Sequence, residues 1–206
     1  MKNPWEKVLL SDYEEHMKLP GIHQLQSLHS IMEMQINTYP VQTLSILGVA
    51  GGNGLDLINK DNIKKVYGID INEDYLKICR ERYAYLGSCL KLQRIDLTDL
   101  KAELPAADMV IANLFIEYIG TEFFAEQLKK NVPEYVSCVI QKNQEEEFVS
   151  DSPYTRSFTE IAGLHSDIDK EELTRKLNTI DMVLIREEEI LLPNKKVFIR
   201  LDYRKL

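Results

Sequence analysis

Apolar positions follow two different rhythms along this chain. Near the start they recur at helical spacing: Leu25, Leu28, Ile31, Met32 and Ile36 share one face, so a helix over 22–39 packs one side on a core. A shorter helix is expected over 5–17, ended by Leu19-Pro20-Gly21, whose Pro-Gly pair breaks a helix. From Thr43 the apolar runs become short and continuous, as in buried strands: 43–49, 66–70, 90–95, 109–112 and 135–141. Helical patterns fall between them. One opens at 55–58 and another covers 121–130. A third follows Asn72, a good cap, with Glu73 and Asp74 in its first turn, Tyr75, Leu76, Cys79, Tyr83 and Leu86 on one face and Gly87 as its stop.

The last third is less regular. Residues 142–154 are polar and acidic and read as a loop. Ser157 with Glu160, and Asp169 with Glu172, have capping-box spacing and predict short helices on either side of 163–166. Residues 182–192 and 197–203, joined across Pro193-Asn194-Lys195, read as a terminal hairpin. Strands alternating with helices imply an α/β fold, a Rossmann-like, doubly wound and mostly parallel sheet with helices on both faces and one C-terminal antiparallel hairpin. With no repeat or convincing linker, the expectation is a single domain, in which a helical cap (1–40) covers a core (41–206).

Composition narrows the function. The 206 residues are 44% hydrophobic and 28% charged, ordinary for a globular protein, and the net charge of −8 disfavours nucleic acid or an anionic membrane as partner. Cys79, Cys89 and Cys138 have no metal-ligand spacing, so no metal is expected. No apolar run reaches the roughly 18 residues of a membrane span, and the N-terminus has no secretory segment, so the expected location is cytoplasmic.

The segment Ile46-Leu47-Gly48-Val49-Ala50-Gly51-Gly52-Asn53-Gly54 breaks from a buried strand into four glycines within seven residues. In a doubly wound sheet this loop lies at the carboxyl ends of the strands, where ligands bind, and glycines let a backbone approach closely. Asp70 ends the next strand twenty residues after Ala50, about the offset at which an acid reaches ribose hydroxyls. Loop and acid together favour an adenosine-containing ligand.

In these residues the chain resembles the class I S-adenosylmethionine-dependent methyltransferases, in order from about 43 to 112 and in the terminal hairpin. The resemblance implies a seven-stranded sheet and S-adenosylmethionine as cofactor. It carries the glycine loop (Gly48, Ala50, Gly52, Asn53, Gly54) to the methionine part, Asp70 to the ribose, and Ile71, Asp96 and Leu97 to the adenine. It also carries Asn113, in the fourth-strand motif Asp108–Leu114, to the neighbourhood of the reacting methyl. Gly48 stands where the family usually has an acid and Ala50 where it usually has a glycine; Asp56 is expected to replace the missing acid.

The acceptor should then sit near the end of the fourth strand or under the N-terminal helices. Glu117 and Tyr118 meet the first condition; Tyr13 and His16, three apart on one helix face, meet the second. Glu117, Tyr118 and His16 are the catalytic candidates, and Tyr13, His16 and Tyr118 the substrate-binding ones, with His165 a further possibility. Asn113-Leu114-Phe115-Ile116 lacks the Asn/Asp-Pro-Pro-aromatic signature of enzymes methylating amide or nucleobase nitrogens, which favours a small-molecule acceptor, with a protein side chain second. Two other readings stay open: an inactive cofactor-binding or partner-binding module, and a nicotinamide-dependent oxidoreductase. The Glu145–Glu147 and Glu187–Glu189 runs read as solvated faces.

Overall fold

In the computed structural model, which describes residues 3–143, 149–161 and 163–206, seven strands form one sheet. They are β1 (Thr43–Leu47), β2 (Lys65–Asp70), β3 (Leu90–Arg94), β4 (Met109–Asn113), β5 (Tyr135–Lys142), β6 (Met182–Leu191) and β7 (Val197–Lys205), in the order β3-β2-β1-β4-β5-β7-β6. Strands β1 to β5 pair in parallel, whereas β7 runs antiparallel between β5 and β6. The order reverses at β1, so the loops after β1 and β4 diverge and leave a crevice there.

Alternate residues of each central strand feed two cores. Met109 and Ile111 of β4 pack with Met32 and Ile36 of α2 (Gln24–Thr38) and Leu76 and Cys79 of α3 (Glu73–Arg82). Val110 and Ala112 face α4 (Ile116–Lys130) and α5 (Lys170–Asn178) through Phe124, Leu128, Leu173 and Leu177. A parallel strand buried on both faces must be apolar throughout, which is why these strands read as continuous runs. All three cysteines are buried and reduced.

The elements differ from expectation at their ends, for local reasons. The first helix is split into a turn over Pro4–Lys7, capped by Asn3, and α1 (Leu10–Lys18), because the extended Val8 gives its carbonyl to the Tyr75 hydroxyl at 2.9 Å. β1 stops at Leu47 because Gly48 turns at φ +67°. The helix expected at 55–58 is one short turn: Asn59 closes a polar turn by accepting from the Asp61 amide at 2.9 Å. α3 ends at Arg82, and Gly87 lies in the tight turn beyond it rather than stopping the helix. α4 begins five residues earlier than expected and is broken at Gly120, with φ +79°, which masks its first turn in the sequence. Ser157 caps nothing; its hydroxyl bonds Asp12 while Glu160 pairs with Lys7. Asp169 does cap α5, accepting from the Glu172 amide at 2.7 Å. The Glu187–Glu189 run lies on the edge strand β6 and pairs with surface cations, whereas Glu145–Glu147 lie outside the described residues. Among the described residues no helix is long and apolar enough to cross a membrane.

Candidate active site

A cleft with about 1000 Å³ of open space occupies the crevice. Its floor comes from four strand ends: Gly48 and Ala50 after β1, Asp70 and Ile71 at β2, Asp96 and Leu97 after β3, Asn113 at β4. The backbone permits this because Gly48 and Ala50 both hold positive φ, +67° and +46°. A Cβ on Gly48 would lie 2.8 Å from the Phe115 ring, another wall of the cleft, so the position needs glycine on both counts.

Asp70 is the keystone. One carboxylate oxygen accepts from the Ala50 amide and the other from the Asn72 amide, both at 2.9 Å, so it ties the glycine loop to the start of α3. Burial raises its pKa above the ordinary carboxylate value, with the Asn72 and Ala50 amides working the other way. Asn72 caps α3, accepting from the Asp74 and Tyr75 amides at 3.0 and 3.3 Å, and its amide also holds the Trp5 carbonyl at 2.9 Å. Asp96 accepts from the Thr98 amide and hydroxyl at 2.9 and 2.7 Å, so one of its oxygens closes a turn at the rim.

The N-terminal segment roofs the cleft with Asn3, Trp5 and Tyr13. It is fastened over the mouth by Arg94 to Glu6 at 2.8 Å and by a forked pair between Arg82 and Glu14. Trp5 meets Tyr13 and Tyr118 edge to face at 5.9 and 4.8 Å between ring centres. These three aromatics, with Leu114, separate the cleft from a small second cavity of about 60 Å³ that also has His16, Gln24, Gln141 and Phe158 in its wall. Burial raises the phenol pKa values of Tyr13 and Tyr118, so both hydroxyls stay protonated.

Several expected site residues lie elsewhere. Gly52 and Gly54 do not line the cleft; a side chain on Gly52 would strike the Tyr83 ring, and one on Gly54 would come within 2.6 Å of the Met32 sulfur, so both serve close helix packing. Asn53 lines a smaller crevice that shares Tyr13, Gly48, Ala50 and Asn113 with the cleft, and it donates to the Leu25 carbonyl at 3.1 Å. Asp56, expected to stand in for the missing acid, is turned outward to His29 at 2.8 Å and does not line the cleft. The acid beside the loop is Glu14 of α1, against Gly51. His16 belongs to the second cavity, bonded through Nδ1 to Ser152 at 2.8 Å, and burial with nearby Lys196 lowers its pKa to about 4. Glu117 is also outside the cleft: it is wholly buried, one oxygen accepts from the Gln141 amide at 2.9 Å and the other has no hydrogen-bond partner among the described residues. Burial pushes its pKa up to about 7. His165 is not in the cleft wall, although its neighbour Leu164 is.

Sequence reasoning expected an N-terminal cap and Tyr13, and missed four other residues of the cleft wall. Asn3, Trp5, Tyr75 and Phe115 all line the cleft, and the one legible signal was the chain's single tryptophan in an otherwise polar N-terminus. Among the described residues no group of three His, Cys, Asp or Glu side chains is placed to hold a metal ion.

Residues 46–133 match the family described as "Methyltransferase domain". No curated protein matches the chain by sequence. Among solved structures, magnesium protoporphyrin IX methyltransferase from Synechocystis PCC 6803, with bound SAM, is 12% identical with a TM-score of 0.62, over 89% of this chain and 79% of that one. N-methyltransferase NodS from Bradyrhizobium japonicum WM9, in complex with S-adenosyl-l-homocysteine, is 11% identical with a TM-score of 0.62, over 90% and 88%. The [4+2]-cyclase SpnF is 13% identical with a TM-score of 0.63, over 87% and 80%, so the fold by itself does not fix a reaction. Residues 46–133 thus match a methyltransferase-domain family, and the seven-stranded sheet that carries them has the fold of these solved structures.

Proposed function

We propose that this chain transfers a methyl group from S-adenosylmethionine to a small-molecule acceptor. The observation that carries the reading is the convergence of Gly48, Ala50, Asp70, Ile71, Asp96, Leu97 and Asn113, from four separate strand ends, on one cleft. Their chemistry suits an adenosine: Asp70 to take ribose hydroxyls, the apolar Ile71, Ile95 and Leu97 for the adenine, and an unobstructed backbone at Gly48 and Ala50 for the amino-acid end.

When bound, the cofactor supplies a methyl on a sulfonium, an activated leaving group that a nucleophile displaces in line. The protein's part is then chiefly alignment and exclusion of water. Trp5, Tyr13 and Tyr118 form the wall on the acceptor side, and a small second cavity lies beyond it, where His16 is neutral at neutral pH. Asn113 lies between glycine loop and wall, where it holds the methionine end in line with the acceptor. The neutral lining of that wall and the net charge of −8 both favour a small uncharged molecule over nucleic acid. The whole chain acts as one domain, with 1–40 as the cap over 41–206, in a cytoplasmic setting.

Isothermal titration with S-adenosylmethionine, S-adenosylhomocysteine and NAD tests this reading. Binding of the first two in the micromolar range, lost in Asp70→Ala with its fold intact by circular dichroism, and none of NAD, is the expected result. Failure of the unmutated chain to bind either sulfur compound sinks it.

A further inference from the structure

A chain of hydrogen bonds runs from the cleft to a wholly buried ion pair on the far side of β5. Arg200 and Asp202 of β7 have no exposed surface and are joined by two bonds, Nε to Oδ1 at 3.0 Å and Nη2 to Oδ2 at 2.7 Å. Asp202 Oδ1 also accepts the Ser137 hydroxyl of β5, and Oδ2 accepts the Tyr39 hydroxyl at 2.8 Å. Ser137 Oγ in turn accepts from Gln35 Nε2 at 2.8 Å. Gln35 Nε2 also donates to Asn113 Oδ1, and Asn113 Nδ2 donates back to Gln35 Oε1, both at 2.9 Å. Gln35 and Tyr39 are four apart on α2 and its C-cap, so one helix face delivers both side chains.

The chain has a direction, set at its charged end. A carboxylate only accepts, so Ser137 must spend its single proton on Asp202, and its oxygen can then only accept from Gln35. That places the Gln35 amide nitrogen towards Ser137 and Asn113 Oδ1, and its oxygen towards Asn113 Nδ2. Without Ser137 the paired amides would be equivalent after flipping together, each keeping two bonds; with it, one of the two arrangements is selected.

We propose that Gln35 and Ser137 are positioning residues that fix which atom of the Asn113 amide faces the donor end of the cleft, the direction being imposed by the Asp202–Arg200 pair. This rests on the reading of the cleft as an S-adenosylmethionine site in which Asn113 touches the cofactor. The Asn113 amide then meets the cofactor already oriented, and binding spends nothing on choosing between its two flips.

The test is a double-mutant cycle on S-adenosylhomocysteine affinity, alongside side-chain amide NMR. Gln35→Met keeps the volume and removes both amide partners; it should weaken binding about tenfold, the loss of roughly one oriented hydrogen bond. In an Asn113→Ala background the same change should have no more than a twofold effect, because nothing is left to orient. An equal effect in both backgrounds would reduce Gln35 to a structural residue and overturn the proposal. In NMR the unmutated protein should show one set of Asn113 side-chain amide signals and Ser137→Ala two sets or broadened ones; a single unchanged set in Ser137→Ala would overturn it as well. Should the unmutated chain bind no S-adenosylhomocysteine, the assignment of the cleft fails, while the NMR arm still decides whether the relay orients Asn113.

Discussion

Glu117 should make the protein lose stability as the pH rises from weakly acid to weakly alkaline, and Glu117→Gln should abolish that loss. Its carboxyl is wholly buried, with one oxygen on the Gln141 amide and the other without a partner among the described residues, and desolvation lifts its pKa from the ordinary 4.5 to about 7. Between those two values the folded chain keeps a proton that the unfolded chain has released, so stability falls by up to about 1.4 kcal/mol per pH unit. From pH 5 to pH 8 the integrated loss is about 2.5 kcal/mol, with no discount for solvent at so buried a site. A glutamine carries no charge, so this part of the pH dependence vanishes, while its buried amide nitrogen can cost about 1–3 kcal/mol at every pH. The difference between the two proteins, not the stability of either, is therefore diagnostic, since Asp70 and His16 titrate alike in both. Urea unfolding of the pair at pH 5, 6, 7 and 8, with m-values checked for constancy, gives that difference. A gap between the two proteins that does not move with pH would show that Glu117 ionises normally, and the account of its burial would be wrong.

Two further outcomes follow from packing and burial. Gly52→Ala should destabilise by more than about 2 kcal/mol in denaturant unfolding, because φ is +93° and the new methyl would strike the Tyr83 ring and reach within 3.0 Å of the Cys79 sulfur; Gly21→Ala, with nothing within 4 Å, should be close to neutral. His16, whose pKa is lowered to about 4, stays neutral in the folded state below its ordinary 6.5, so its contribution to stability is complete above pH 6.5 and is lost as the pH falls towards 4. A two-dimensional NMR titration should show the His16 ring signals unmoved down to pH 5; a His16 midpoint near 6.5 would contradict the burial argument.

The convergence of seven of the expected residues on one cleft was legible because it is local. A strand followed by glycines, and a second strand ending in Asp70, dictate their own conformation and meet wherever two such strands pair in parallel, so Gly48, Ala50, Asp70, Ile71, Asp96, Leu97 and Asn113 share one cleft. Gly52 and Gly54 show what sequence leaves open: it shows that a glycine is needed, not what fills the space beside it, and here Tyr83 and Met32 do. Glu117 and Tyr118 are neighbours in sequence, yet the helical turn sends Tyr118 into the cleft wall and Glu117 into the core.

The sequence by itself determined the alternation of buried strands and amphipathic helices, the parallel sheet with its antiparallel end and the loop–acid pair, because each follows from side-chain periodicity and backbone freedom over a few residues. Only the tertiary structure decided the roof of Trp5 and Tyr13, the outward turn of Asp56, the placing of Glu14 beside the loop, and the relay from Asn113 through Gln35 and Ser137 to Asp202. The relay depends on contacts between residues far apart in sequence, Gln35 with Ser137 at 102 positions and Ser137 with Asp202 at 65, whose partners are selected by how helices settle on the sheet and not by any local pattern.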